Sequence, residues 1–422
     1  MGRDLVGVDR PAPNKEPALR TFTRLGTLRV ATAVAVVSGT AGLATLTALG
    51  ASAQADPSFV SAYAGVGADV TQDIYAGISG ASPAPPASNS NFYLPIHSSG
   101  ATNNKTINSF DAAPSGGTTL NPGCITTKLG GPSFDRPNST TNGIAALIAA
   151  VNGSGWQSAS ASCTGAPVNV TGQIDFARAA RGPKSSGTTL TFVPFARDAV
   201  GVIEFDHGTG HLATLTTAQL TALYSSSTGT STINGDTVYA CMTISGSTPR
   251  SNLEAAIGVS DATVNIAANA AGCNNIQQNS GDNFYAFAST LPSGSSAVIP
   301  ISSGSWISQA NGVAVDRSSA ARTGGADLAA IDALGKPYTG SAPEAPSTAY
   351  YTSTQYGYNV FTVLPTTKIT GFTKDAALVS LFVGPTASLC SSGEQSLVNT
   401  FGFDSLTVAE GTCGSTTTTG NS

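Results

Sequence analysis

The chain has 422 residues, long enough for two domains, and only 10% of them are charged, against about a quarter in ordinary soluble domains. Apolar residues make up 41%, enough for a sizeable core, and 47 glycines among many Ser, Thr and Asn imply short loops and uncharged polar surfaces. A net charge of −5 argues against nucleic acid as a partner and against general attraction to anionic membranes, while local donors could still hold a small anion.

The N-terminus reads as an export signal. Arg20, Arg24 and Arg29 precede an apolar stretch, 30–49, that is diluted by Thr, Ser and Gly. Ala53-Gln54-Ala55 then offers a small-x-small cleavage site before Asp56, so 1–55 is expected to be removed on secretion. No Cys lies near that site for a lipid anchor, and no Arg-Arg pair precedes the apolar run, which points to the general secretory route. Six cysteines follow: Cys124, Cys163, Cys241, Cys273, Cys390 and Cys413. An even count in an exported chain implies three disulfides, with sequential pairing the simplest arrangement. No Cys-x-x-Cys occurs, so zinc and redox motifs are not expected.

From Asp56 onward strand-like and helix-like segments alternate. SFVSAYAGVGAD reads as a strand running into a glycine-rich turn, and DVTQDIYAGI as a helix with Asp69 at its N-cap. The 79–90 stretch is a Pro/Ala/Ser loop. Residues 138–142 are polar turn residues leading into Ile144, Leu147, Ile148 and Val151, with Gly153 ending the helix. GQIDFARAARGP and LTFVPFARDAVGVIEF read as strands. LTTAQLTALY is a helix capped by Thr216 or Thr217. In TISGSTPRSNLEAAIG, Thr248 is placed as N-cap, Pro249 at the first helical position and Gly258 as the stop. YYTSTQYGYNVFTVL reads as an aromatic-rich strand, and 416–422 as a disordered tail. This alternation indicates an α/β fold with mainly parallel sheets, whose ligands sit at helix N-termini beyond the strand ends. Three polar strand-to-helix turns qualify: 65–71, 136–142 and 245–250.

In the order GVGADVTQD, DRPNSTTNGIAALI, IDFARAARGP, FVPFARDAVGVI, LTTAQLTALY, ISGSTPRSNLEAAIG, the chain resembles the phosphate-binding-protein-like solute receptors of ABC importers, in an actinobacterial branch. The resemblance implies a type II periplasmic-binding fold, in which two α/β lobes are joined by two crossing hinge strands and hold a ligand between them. FVPFARDAVG would be the first crossing and YYTSTQYGYNVF the return. Lobe one would span 56–195 and 346–415, and lobe two 196–345. The ligand would be an oxyanion, phosphate first, with ABC-importer membrane subunits as partner and no cofactor. Position by position, the resemblance assigns Asp69 and Thr71 of the first turn, and Ser139, Thr140 and Thr141 of the second. It also assigns Gly246, Ser247, Thr248 and Arg250 of the third turn. Arg178 and Arg181 are further candidates for bidentate contacts to an oxyanion. The chain departs from the family at RAAR, where a Ser-Asp pair is usual, and at Pro249, which removes a donor N–H. Asp69 is left as the acid that could select protonated phosphate. Arg197 and Asp198, adjacent on the first crossing, are expected to pin the hinge.

Two other readings are open at this stage. EFDHGTGH places His207 and His211 at a spacing that could hold zinc for a metal-dependent hydrolase, although Gly208 and Gly210 break any helix there. No Gly-x-Ser-x-Gly elbow or phosphate-loop motif accompanies it, so catalysis is not expected. The Ser/Thr/Gly-rich composition also suits a cell-surface adhesion module that binds no small molecule.

Overall fold

The strand Leu190–Asp206 is 17 residues long and almost wholly buried. Its run of Phe, Val, Ala and Ile suits a strand covered on both faces. It belongs to a computed structural model that describes residues 57, 61–80, 93–102, 104–113, 122–159, 163–207, 212–341 and 343–422. The expected signal peptide, most of the 79–90 loop and His211 lie outside these residues.

In chain order the principal elements are β1 (Tyr63–Gly67), α1 (Gln72–Ile78), β2 (Ile107–Ser109), α2 (Thr140–Asn152), β3 (Phe176–Ala179) and β4 (Leu190–Asp206). Next come α3 (Thr217–Tyr224), β5 (Thr230–Ile233), β6 (Asp236–Ala240), α4 (Thr248–Ile257), α5 (Asp261–Ala270) and α6 (Gly281–Ala288). The last are β7 (Ser295–Ser302), α7 (Ser303–Ala310), β8 (Gly357–Pro365), α8 (Ala376–Phe382) and α9 (Ser392–Thr400).

The main sheet runs β5-β6-β7-β4-β8-β3-β1-β2. The expected parallel pairing occurs at β2–β1, β1–β3 and β6–β7. Antiparallel pairing enters where the crossing strands lie: β4 pairs β8 from Leu190↔Pro365 to Ala199↔Gly357, and also pairs β7. β8 in turn runs antiparallel to β3. The β5–β6 hairpin turns on Asn234 and Gly235, both at positive φ, as a tight two-residue turn requires.

β4 contributes to four cores. Its first half places Val193 and Phe195 against Tyr75 and Phe176 on one face. Leu190 and Phe192 lie against Leu147 and Trp156 on the other. Its second half places Val200 and Val202 with Leu220 and Leu253, and Ile203 and Phe205 with Phe284 and Trp306. The result is a two-lobe α/β fold with helices on both faces of each half-sheet and β4 common to both, as the resemblance implies.

Arg197 and Asp198 occupy the middle of β4. Arg197 donates to Tyr351 O at 2.7 Å and Asn359 Oδ1 at 2.8 Å, and pairs with Glu410 at 3.1 Å. Asp198, fully buried, accepts from Ser302 Oγ and Tyr358 OH at 2.6 Å each. It also accepts from the backbone N–H groups of Ala199 at 2.7 Å and Gly304 at 3.0 Å. Burial raises its carboxyl above the usual range, and these donors oppose that shift.

Disulfides close Cys124–Cys163, Cys241–Cys273 and Cys390–Cys413, consecutively along the chain. Two local expectations are corrected. The tail is not disordered: Thr419–Gly420 pairs with Leu190 and Thr191, and Ser422 O accepts from Lys184 N–H at 2.8 Å. Its Thr run extends an edge that β4 leaves open. The start of the aromatic segment is a helical turn, Thr348–Tyr351. The turn lets the consecutive Tyr350 and Tyr351 both enter the interior, whereas strand alternation would expose one. Among the described residues no helix is long and apolar enough to cross a membrane.

Candidate functional site

The first two polar turns meet at the end of β3. Ala68 N–H donates to Arg178 O at 3.1 Å, and Ala180 N–H donates to Thr140 Oγ1 at 3.1 Å. Thr140 opens α2, a 13-residue helix capped by Ser139, whose side chain accepts from Asn142 N–H at 3.1 Å. Gly143 in its first turn is backed against Gly67, where a β-carbon would lie 2.5 Å from Gly67 Cα. The N-terminus of α2 therefore abuts the β1 turn. Thr141 is exposed and accepts from Arg181 Nη2 at 3.3 Å, so a guanidinium stands over the positive end of this helix.

Asp69 is not the helix cap expected of it. Residues Asp69–Thr71 form a 3-10 turn ahead of α1, with no side-chain cap bond. Instead Asp69 Oδ2 accepts from Asn279 Nδ2 at 2.6 Å, on the other lobe. Beside it, Arg317 Nη1 lies 4.0 Å from Asp73 Oδ2. Burial pushes the Asp69 carboxyl up to about 6; Arg317 and Asn279 favour its ionised form, while Asp73 opposes it. Asp73 is raised for the same first reason. Thr71 is fully buried, and its hydroxyl donates to Ala68 O at 3.2 Å.

Arg178 and Arg250 are both fully buried, and both are engaged within their own lobes. The guanidinium of Arg178 donates to Phe110 O at 2.8 Å, Gly67 O at 3.3 Å, Ala68 O at 3.4 Å and Ser109 Oγ. Burial lowers its pKa to about 10, while Asp111, Tyr75, Asp69 and Asp73 hold it charged. It frames the first turn from behind. Arg250 pairs with Glu254 at 2.9 Å and Asp261 at 2.7 Å, and donates to Thr243 O at 3.0 Å. Both guanidiniums are satisfied by carbonyls, a hydroxyl and carboxylates of the chain, because a buried guanidinium needs its donors satisfied whether or not a ligand is present.

The third turn starts α4 one residue earlier than expected. Ser247 is the N-cap, Thr248 the first helical residue and Pro249 the second. The buried Ser247 hydroxyl pairs with Thr243 Oγ1 at 2.7 Å, while Gly246 is exposed at φ 77° and Thr248 is half-buried. Thr243 bridges to Ile276, three residues before Asn279, so this turn and the Asn279 contact belong to one edge of lobe two. The distance along the chain hid Asn279 and Arg317 from sequence reasoning. Neither lies in a Gly-rich turn, and only the fold sets them opposite Asp69 and Asp73.

His207 rests at 5.8 Å from the Phe205 ring. The one cluster of potential metal ligands among the described residues, Cys124, Asp135 and Cys163, contains a disulfide, so its sulfurs are not thiolates.

The sequence matches no protein-family model and no curated protein. Solved structures are similar at low identity. A protein from Clostridium perfringens assigned as a phosphate ABC transporter substrate-binding protein, with bound phosphate, is 11% identical at a TM-score of 0.42, covering 82% of this chain and 99% of its own. A protein from Planctomyces limnophilus assigned to phosphate binding is 11% identical at 0.36, covering 83% and 95%. PstS from Borrelia burgdorferi is 13% identical at 0.34, covering 64% and 86%.

Proposed function

We propose that this chain is a secreted or surface-held solute-binding protein that closes its lobes on a small oxyanion, phosphate first, for delivery to an ABC importer. The observation that carries the reading is the inter-lobe contact of Asp69 with Asn279, flanked by Arg317 and Asp73. A polar, buried, charged seam between two lobes is costly unless it serves a ligand or a closure. The N-terminus of α2, with Ser139, Thr140, Thr141 and Arg181, supplies anion-binding groups beside it. Thr71, Gly246, Ser247 and Thr248 are the further ligand positions in this reading, and Asp69 is the acceptor for a hydrogen-phosphate proton. Lobe one comprises 56–195 and 346–415, lobe two 196–345, and closure bends β4 and β8. Arg178 and Arg250 hold the turns in shape rather than touch the ligand.

The test is thermal unfolding of ligand-free protein from Asp56 onward against phosphate, sulfate, other oxyanions, zinc and EDTA. Phosphate at a hundredfold excess over its Kd stabilises by about 2.7 kcal/mol, and Thr140→Ala with Arg181→Ala abolishes the shift. No shift with any anion overturns the reading. A zinc shift reversed by EDTA transfers it to the His207 region.

A further inference from the structure

Four of the chain's seven lysines gather on one face of lobe one. Lys105, Lys368 and Lys374 line a surface cleft of about 460 Å³. Lys128 joins them through Asp175, which it contacts at 2.7 Å and which also feels the charge of Lys368. Two turns stand on this face, each with an apolar residue at its tip. In one, Lys128 O accepts from Gly131 N–H at 2.9 Å and Thr127 Oγ1 donates to Gln173 O at 2.7 Å, leaving Leu129 89% exposed. In the other, Lys368 O accepts from Asp375 N–H at 2.8 Å, Gly371 adopts φ 74°, and Phe372 projects fully into solvent.

The acids on this face are already committed. Asp375 accepts from Tyr63 OH at 2.8 Å and from the first N–H groups of α8. Asp175 is held by Lys128 and by Ala64 N–H at 2.9 Å. The exposed outer charges are those of Lys368 and Lys374. Hydrogen-bonded turns hold both tips outward, in water, where an apolar side chain gains nothing.

We propose that this face docks the protein on an anionic phospholipid surface, with Leu129 and Phe372 entering the interface and the lysines at headgroup level. Single apolar side chains raised on polar turns do not form the contiguous apolar centre of a protein–protein interface. They suit a lipid interface, where each tip inserts separately and its cations remain with the phosphates. The net charge of −5 excludes attraction spread over the whole surface; local placement of the lysines overrides it within a Debye length.

The test is flotation of the chain from Asp56 onward, which contains all four cores, with phosphatidylcholine vesicles with and without phosphatidylglycerol. Binding should require phosphatidylglycerol and fall as salt rises. Lys368→Glu with Lys374→Glu, and separately Leu129→Ser with Phe372→Ser, should each weaken it about tenfold or more at an unchanged unfolding temperature. The proposal fails if the protein ignores phosphatidylglycerol vesicles or binds neutral vesicles equally. It also fails if inorganic phosphate competes fully while the Leu129→Ser/Phe372→Ser variant binds like the parent, which would mark a simple anion pocket.

Discussion

Asn279 Nδ2 donates to Asp69 Oδ2 at 2.6 Å across 210 residues of sequence, joining the two lobes. Asn279 adopts φ 54° and the nearby Asn275 φ 59°, left-handed conformations that Asn tolerates better than most residues. Its Oδ1 accepts from Ser302 N–H at 3.2 Å, and Ser302 Oγ reaches Asp198 at 2.6 Å. Asp198 accepts in turn from Tyr358 of β8. A continuous hydrogen-bonded path therefore runs from both crossing strands to the seam.

Asp69→Asn should change the pH dependence of stability. The folded carboxyl titrates at about 6, above its ordinary 3.8, so its contribution is fully present below the unfolded value and is lost as pH rises through about 6. Asparagine has no proton to lose. In ligand-free protein the variant should gain on the parent by about 2 kcal/mol between pH 4 and pH 8, read by urea unfolding. Parallel curves for the two proteins would show that Asp69 does not titrate in this way.

Arg250→Ala should act on stability rather than on ligand affinity. It leaves the Glu254 carboxylate and the buried Thr243 O without their guanidinium partner, empties the buried space that Arg250 fills, and frees the half-exposed Asp261 to water. A loss of about 2 kcal/mol or more is expected in denaturant unfolding. Phosphate affinity, measured calorimetrically on the folded variant, should stay within about twofold, under 0.5 kcal/mol. A large affinity loss with intact stability would restore Arg250 to the ligand.

Asp198→Ala leaves two hydroxyls and two backbone N–H groups without their acceptor in a fully buried setting. The expected cost is about 3 kcal/mol or more. Hydrogen exchange should rise first at Ala199 and Gly304, whose N–H groups bond to this carboxylate. Unchanged exchange there would show that the path from hinge to seam does not depend on Asp198.

Replacing Cys241 and Cys273 together by Ser opens a loop of 32 residues and puts polar groups where both sulfurs are buried. About 3 kcal/mol should be lost, with the midpoint falling and the denaturant slope little changed. The Cys390/Cys413 pair, closing 23 residues and half-exposed at Cys413, should cost less.

Much of this molecule was legible locally. The segment of β4 read as a strand, the polar residues 138–142 and Gly153 bounded α2, and Thr216 was one of two expected caps of α3, to which the structure adds the Gln219 capping box. These depend on neighbours within a few residues, where side-chain chemistry and backbone geometry are directly coupled. The partners of Asp69, Arg178 and Arg250 were not legible. An Asp before a helix reads as a cap until the fold supplies Asn279, and an Arg beside a polar turn gives no sign of the Ser109 and Phe110 oxygens or of Asp261 that the fold brings to it.

Local elements such as β1, α2, β4, α3 and α4, together with the polar turns, follow from neighbours in the sequence, because propensity, periodicity and capping are short-range, whereas the crossing strands came from the family resemblance. Which carboxylate meets which amide, which guanidiniums are buried, and that four lysines share one face are outcomes of the folded packing. Those outcomes depend on burial and on distances between residues far apart in the chain, and the free energy of a charge is set by what surrounds it.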